Sequence, residues 1–153
     1  MSRKLFTGLR FAAACAFVVA CAFAAAAAQA SPRQDYILFC MGCHGPQAEG
    51  VPGKVPPLAN SLARYMRTAA GRNYILRVPG AANSVLTDAQ LAGVLNWLAQ
   101  TFDGEELDKS HAALFTTEEV TGLRHSPLQS VLATRSAVVR DLAATGLAPP
   151  ASY

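Results

Sequence analysis

Charge is scarce in this sequence. Asp, Glu, Lys and Arg make up only 15% of its 153 residues, against 52% hydrophobic. So little charge beside so much apolar side chain excludes wholesale disorder. The length excludes a large multi-domain enzyme and fits one domain, with or without a tail. No basic run with interleaved aromatics occurs, so the formal charge of +3 gives no footing for nucleic-acid binding. No segment shows the period-two alternation of a half-buried strand, and no internal repeat is present. Four cysteines in a short chain raise the question of a disulfide framework, which their positions answer.

The first thirty residues differ from the rest. Arg3, Lys4 and Arg10 precede an apolar stretch from Phe11 to Ala28, and Ala28-Gln29-Ala30 follows. A positive start, an apolar centre and an A-x-A site make a secretory signal peptide, and cleavage is predicted after Ala30. Two alternatives stand beside this. About 18 apolar residues could be retained as a membrane anchor, although alanine dominates them. Val18-Val19-Ala20-Cys21 resembles a bacterial lipobox, which would put a lipid anchor on Cys21. Cleavage removes three basic residues, leaving ten Lys and Arg against ten Asp and Glu, so the mature chain is neutral. Cys15 and Cys21 leave as well. Only Cys40 and Cys43 remain, and a disulfide framework is excluded. No membrane span is then expected in the mature chain.

The remaining punctuation is helical. Ser31-Pro32-Arg33-Gln34 is a capping box with proline at the first helical position, opening a helix through Tyr36, Ile37 and Phe39 into the cysteines. Residues 44–58 are rich in Gly and Pro and read as a loop. Two short helices are expected over 60–69 and 72–78, separated by Gly71 and ended by Pro79-Gly80. Thr87-Asp88-Ala89-Gln90 opens another helix, with Leu91, Val94, Leu95 and Leu98 at helical spacing, running to about Phe102 and stopped by Asp103-Gly104. A polar connector over 103–111 leads to a box at Thr116-Thr117-Glu118-Glu119. A last box, Ser126-Pro127-Leu128-Gln129, opens a helix that closes near Gly146. The expected organisation is a signal over 1–30, a compact unit over 31–102 and a helical C-terminal extension over 103–153.

One pentapeptide carries chemistry: Cys40-Met41-Gly42-Cys43-His44, a C-x-x-C-H sequence that is the attachment signature of c-type haem. Two thiols three residues apart at a helix end can reach the two vinyl groups on one edge of a porphyrin. The histidine next to the second thiol then lies beneath the iron. A structural zinc site would need two histidines at H-x3–5-H spacing, and His44, His111 and His125 do not supply it. A thiol–disulfide redox pair would expect a βαβ context, which is absent. The implied cofactor is one haem c with its iron, held by Cys40 and Cys43 and ligated by His44.

With these residues in place, the region 31–102 resembles a small monohaem class I cytochrome c domain. The likeness rests on the helix into C-M-G-C-H, on Val55-Pro56-Pro57-Leu58 in the Gly/Pro loop, and on the last helix opened by Leu86-Thr87-Asp88. It implies an all-α, cytochrome c-like helical domain around a covalently bound haem, with the C-terminal extension added. It implies that a proline carbonyl, of Pro56 or Pro57, accepts a hydrogen bond from Nδ1 of His44; Pro57 is taken as the site residue. It also implies that the first and last helices of the domain pack together, through Tyr36 or Phe39 with Trp97.

The sequence departs from that family in one place. The loop before the last helix, Arg77 to Leu86, carries no methionine to serve as sixth iron ligand. Met41 lies inside the attachment motif. Met66 is the candidate sixth ligand, with core packing as its alternative. His111 or His125 could ligate from the extension. Otherwise the sixth position is open, with Asn83 a polar neighbour. The expected function is an exported electron-transfer cytochrome rather than an enzyme, serving a periplasmic redox enzyme or respiratory-chain component. The alternatives are an open-site haem protein for ligand binding or peroxide chemistry, and a haem subunit of a periplasmic dehydrogenase.

Overall fold

The computed structural model describes residues 30–149, so the expected signal segment and Cys21 lie outside the described residues. Nine helices occur among the described residues: α1 Pro32–Phe39, α2 Met41–His44, α3 Leu62–Met66, α4 Ala69–Arg77, α5 Pro79–Ala82, α6 Asp88–Phe102, α7 Gly104–Ser110, α8 Thr117–Leu123 and α9 Val131–Ala144. The only strand-like feature described is an isolated bridge between Val51 and Val55. The all-α expectation holds. No helix among the described residues is long and apolar enough to cross a membrane.

Local chemistry explains where the helices begin. Ser31 and Thr87 form full capping boxes with Gln34 and Gln90. Thr116 caps α8 by accepting from the Glu119 N–H. The centre of the fold is α1 packed against α6, where the Tyr36 and Trp97 rings lie 5.5 Å apart and Trp97 meets Phe102 edge-on. Tyr36 is therefore the residue that reaches Trp97. Phe39 turns to a cavity described below.

Three boundaries differ from the sequence reading. Gly71 does not separate a pair of helices but lies inside α4, which Thr68 caps by accepting from the Gly71 N–H at 3.0 Å. A Cβ at this position would strike the carbonyl of Tyr65, so glycine permits the close turn between α3 and α4. The polar connector is partly helical, as α7, where Glu106 meets Arg64 and Arg67 of the α3 segment. The last helix starts at Val131, not at Pro127. Carbonyls of Ser126 and Pro127 accept from the Arg77 guanidinium instead of entering a helix, and Ser130 provides the cap.

Arginines join the C-terminal segment to the rest. Arg72 donates to the carbonyls of Ala113 and Leu114, pairs with Glu119 and lies 4.3 Å from the Phe115 ring centroid. Arg124 is 4% exposed and donates to the carbonyls of Ala82, Ser84 and Leu86 and to Asp88. Among the described residues, those from Ser31 on form one compact unit.

Candidate haem-binding site

The motif residues lie at a helix junction. Cys40 ends α1, its N–H still bonded to the Tyr36 carbonyl at 2.9 Å, and α2 then carries Cys43 and His44 for a single turn. The Tyr36 hydroxyl donates to the Gly45 carbonyl, tying α1 to the end of α2. Gly45 breaks the helix with a φ of 78°.

The following loop closes on itself. The Gly50 N–H returns to the His44 carbonyl at 2.8 Å, and Val51 and Val55 exchange two hydrogen bonds of 2.8 Å. The N–H groups of Leu58 and Ala59 both donate to the carbonyl of Ala48. Gly50 has a φ of 69°, and a Cβ there would strike the carbonyl of Val55. This closed loop sets which carbonyl meets the histidine. Nδ1 of His44 lies 3.1 Å from the carbonyl oxygen of Pro56. The partner is thus Pro56, and the assignment to Pro57 is corrected. Pro57 is the next residue along and lines the cavity without making this bond.

A carbonyl can only accept, so Nδ1 carries the proton and Nε2 keeps its lone pair. Burial lowers the His44 pKa, with the Pro56 hydrogen bond opposing it. Burial favours the neutral imidazole, the form that binds metal, and the Pro56 bond decides that Nε2 is the nitrogen left to bind it. Burial raises the Cys40 pKa, helped by Asp35 and Cys43. Neither Cys40 nor Cys43 is in a disulfide.

Cys40, Cys43 and His44 all line one cavity of about 520 Å³. Its remaining wall is mainly apolar, with Leu62, Ile75, Leu91, Leu95 and Leu98 among the contributors. Such a space suits a flat, largely apolar cofactor with a few polar groups. The residues present therefore fit a haem: two thiols, a neutral imidazole and an apolar chamber meet at one place.

The proposed sixth ligands are not brought to this place. Met66 is 2% exposed and packed in the core, and it does not line the cavity. Core packing, the alternative to ligation, is the role it shows here. Leu62 and Tyr65 of the same short helix α3 line the cavity, and Met66 does not. His111 and His125 are exposed and line no part of the cavity, and Asn83 is likewise outside it.

Three cavity residues come from the C-terminal segment: Val131, Leu132 and Arg135 of α9. The sequence reading missed them. One signal was available. Val131, Arg135, Val138 and Leu142 recur at helical spacing, so an arginine interrupts an otherwise apolar face.

The cytochrome c family model matches residues 33–102. A cytochrome c-552 of Thermus thermophilus is 34% identical over 128 residues, covering 71% of this chain and 85% of the relative. A second Thermus thermophilus cytochrome c-552 is 34% identical over 116 residues, covering 63% of this chain and 88% of that protein. Motif, cavity, helical fold and these likenesses agree: the chain belongs to the cytochrome c family, a haem electron carrier with covalently bound haem c.

Proposed function

We propose that the chain is an exported electron carrier, with haem attached through Cys40 and Cys43 and its iron ligated by Nε2 of His44. The observation that carries this reading is the His44–Pro56 hydrogen bond at 3.1 Å, which fixes the ring and its tautomer on the wall that also holds both thiols. When bound, the haem supplies a one-electron couple. The chain's own role is to hold and shield it. The leucines of α6 and Ile75 exclude water from the chamber, an environment that disfavours the more highly charged oxidised state.

The leader-like residues 1–30 support export to the periplasm, where the partner is a redox enzyme or respiratory-chain component. The neutral mature charge implies weak electrostatic steering. Electron-exchange rates with the partner then change little with added salt, and a steep fall would argue against weak steering. Cell fractionation tests the whole reading. Haem-stained protein is expected in the periplasmic fraction with Ser31 at its N-terminus. Apoprotein confined to the cytoplasm would overturn it.

A second reading concerns the iron's sixth position. Among the described residues, no methionine and no second histidine lines the cavity, which favours a position open to small ligands. Carbon monoxide added to the reduced protein tests this. Rapid binding supports an open site, and a spectrum unmoved by carbon monoxide sinks it.

A further inference from the structure

The family match ends at Phe102, yet the cavity does not. Val131, Leu132 and Arg135 close one side of its wall from nearly thirty residues beyond that point. Their placement is built rather than incidental. Arg77 holds the carbonyls of Ser126 and Pro127 just before α9, Ser130 caps the helix, and Val138 and Leu142 anchor it in the core. The turn of α9 at the cavity is therefore fixed from both ends.

The charge on the cavity wall is one-sided. Lys54 and Arg135 line it, and no Asp or Glu does so among the described residues. Lys54 stands exposed in the 51–55 turn. Arg135 lies half-buried on α9 and shares the cavity wall with Tyr65. A wall that carries these two cations is matched to a ligand that brings negative charge. A haem brings two carboxylates.

We propose that the C-terminal segment belongs to the haem site: Val131 and Leu132 cover the cofactor, and the Arg135 guanidinium supplies a cation to its carboxylates. This rests on the haem reading above and extends it to residues that the family match does not include. A cation near the haem stabilises the reduced state, in which the iron carries less positive charge. Arg135 thereby sets the potential upward without touching the iron, and Leu132 does so by keeping water off the cofactor.

The test uses the full-length, haem-loaded protein and reads its midpoint potential. Arg135→Gln is expected to shift the oxidised-to-reduced ratio at fixed potential roughly tenfold toward oxidised, a decade being about 59 mV for one electron. Arg135→Lys keeps most of the wild-type value. Arg140→Gln makes the same charge change at an exposed position of the same helix, outside the cavity, and shifts the ratio less than about twofold under ordinary screening. Leu132→Glu, at a residue 68% exposed, puts a carboxylate at the cavity and moves the potential the same way as Arg135→Gln. It carries the test if Arg135→Gln does not accumulate. Potentials for Arg135→Gln and Leu132→Glu matching that of Arg140→Gln would overturn the proposal while leaving covalent haem in place. Wild-type protein without covalent haem would instead overturn the reading beneath it.

Discussion

Arg124 and Asp88 form an ion pair at 2.9 Å that joins α8 to the first turn of α6. The same guanidinium gathers the carbonyls of Ala82, Ser84 and Leu86. It thus organises the loop in which family members are expected to present a methionine. In this chain the loop has no ligand to offer, and a buried arginine from the C-terminal segment holds its backbone in place. Replacing Arg124 by Met leaves three carbonyls without their donor. The expected loss of stability is about 3 kcal/mol, the range for breaking a buried charged network. Denaturant unfolding of the two proteins checks this, and a change below about 1 kcal/mol, the size of a surface pair, would contradict it.

The same pair sets a response to acid. Hydrogen bonds from Thr121 and Arg124 hold the Asp88 carboxyl below its usual range. Its folded-state pKa is depressed, so the stability it contributes is present above the ordinary carboxylate value. That stability is lost as pH falls through the folded-state value. Asp88→Asn is expected to flatten this stretch of the acid-unfolding profile while lowering stability at neutral pH. Parallel profiles for wild type and variant would contradict the assignment.

Tyr36 responds at the other end of the scale. Burial is the main cause raising its pKa to about 12, and its hydroxyl donates to the Gly45 carbonyl beside the motif. A phenol raised in the folded state contributes stability that is full below its unfolded value. That contribution is lost as pH rises through the folded one. Wild-type stability should therefore fall between about pH 10 and 12. Tyr36→Phe should remove that slope and cost about 1–2 kcal/mol at neutral pH through the orphaned carbonyl. Chemical denaturation across this window reads both effects.

Gly50 tests how His44 is positioned. Its positive φ and its closeness to the Val55 carbonyl leave no space for a side chain. Gly50→Ala is expected to cost about 2 kcal/mol or more. It should also disturb the axial-histidine signals in the haem's paramagnetic NMR spectrum, because the loop presents Pro56. Pro56→Ala, which keeps the carbonyl, should leave those signals nearly unchanged. The reverse ranking would show that the ring is held by something other than this loop.

Met66 offers a direct contrast. As a core residue it tolerates Met66→Leu at less than about 1.5 kcal/mol, with the optical spectrum of the haem unchanged. Loss of an iron–sulfur charge-transfer band on this substitution would restore Met66 as the ligand.

What was legible in the sequence was what is local. Cys40, Cys43 and His44 are close together on one turn, and the caps at Ser31 and Thr87 need only three residues each, so pattern alone reveals them. The choice between Pro56 and Pro57 was not legible, because it depends on the register that Gly50 and the Val51–Val55 bridge impose. Asp103 read only as a helix stop. It also accepts from the N–H groups of Asn60 and Ala63, capping α3 from about forty residues away. Helix α7 was hidden because its sequence is polar and its support comes from Arg64 and Arg67. The contribution of α9 to the cavity has the same cause. Arginine-to-carbonyl bonds between residues 38 and 50 apart in sequence leave no periodicity, only a charge misplaced on an apolar face.

The central claim is that two cysteines and one histidine of this chain hold a covalent haem outside the cytoplasm. The intact mass of the protein, purified from cells equipped for c-type haem attachment, tests it most directly. The account predicts a mass equal to residues 31–153 plus one haem, with no haem retained after denaturation by a Cys40→Ala, Cys43→Ala double variant. A wild-type mass without haem, or haem that acid acetone extracts completely, would contradict it.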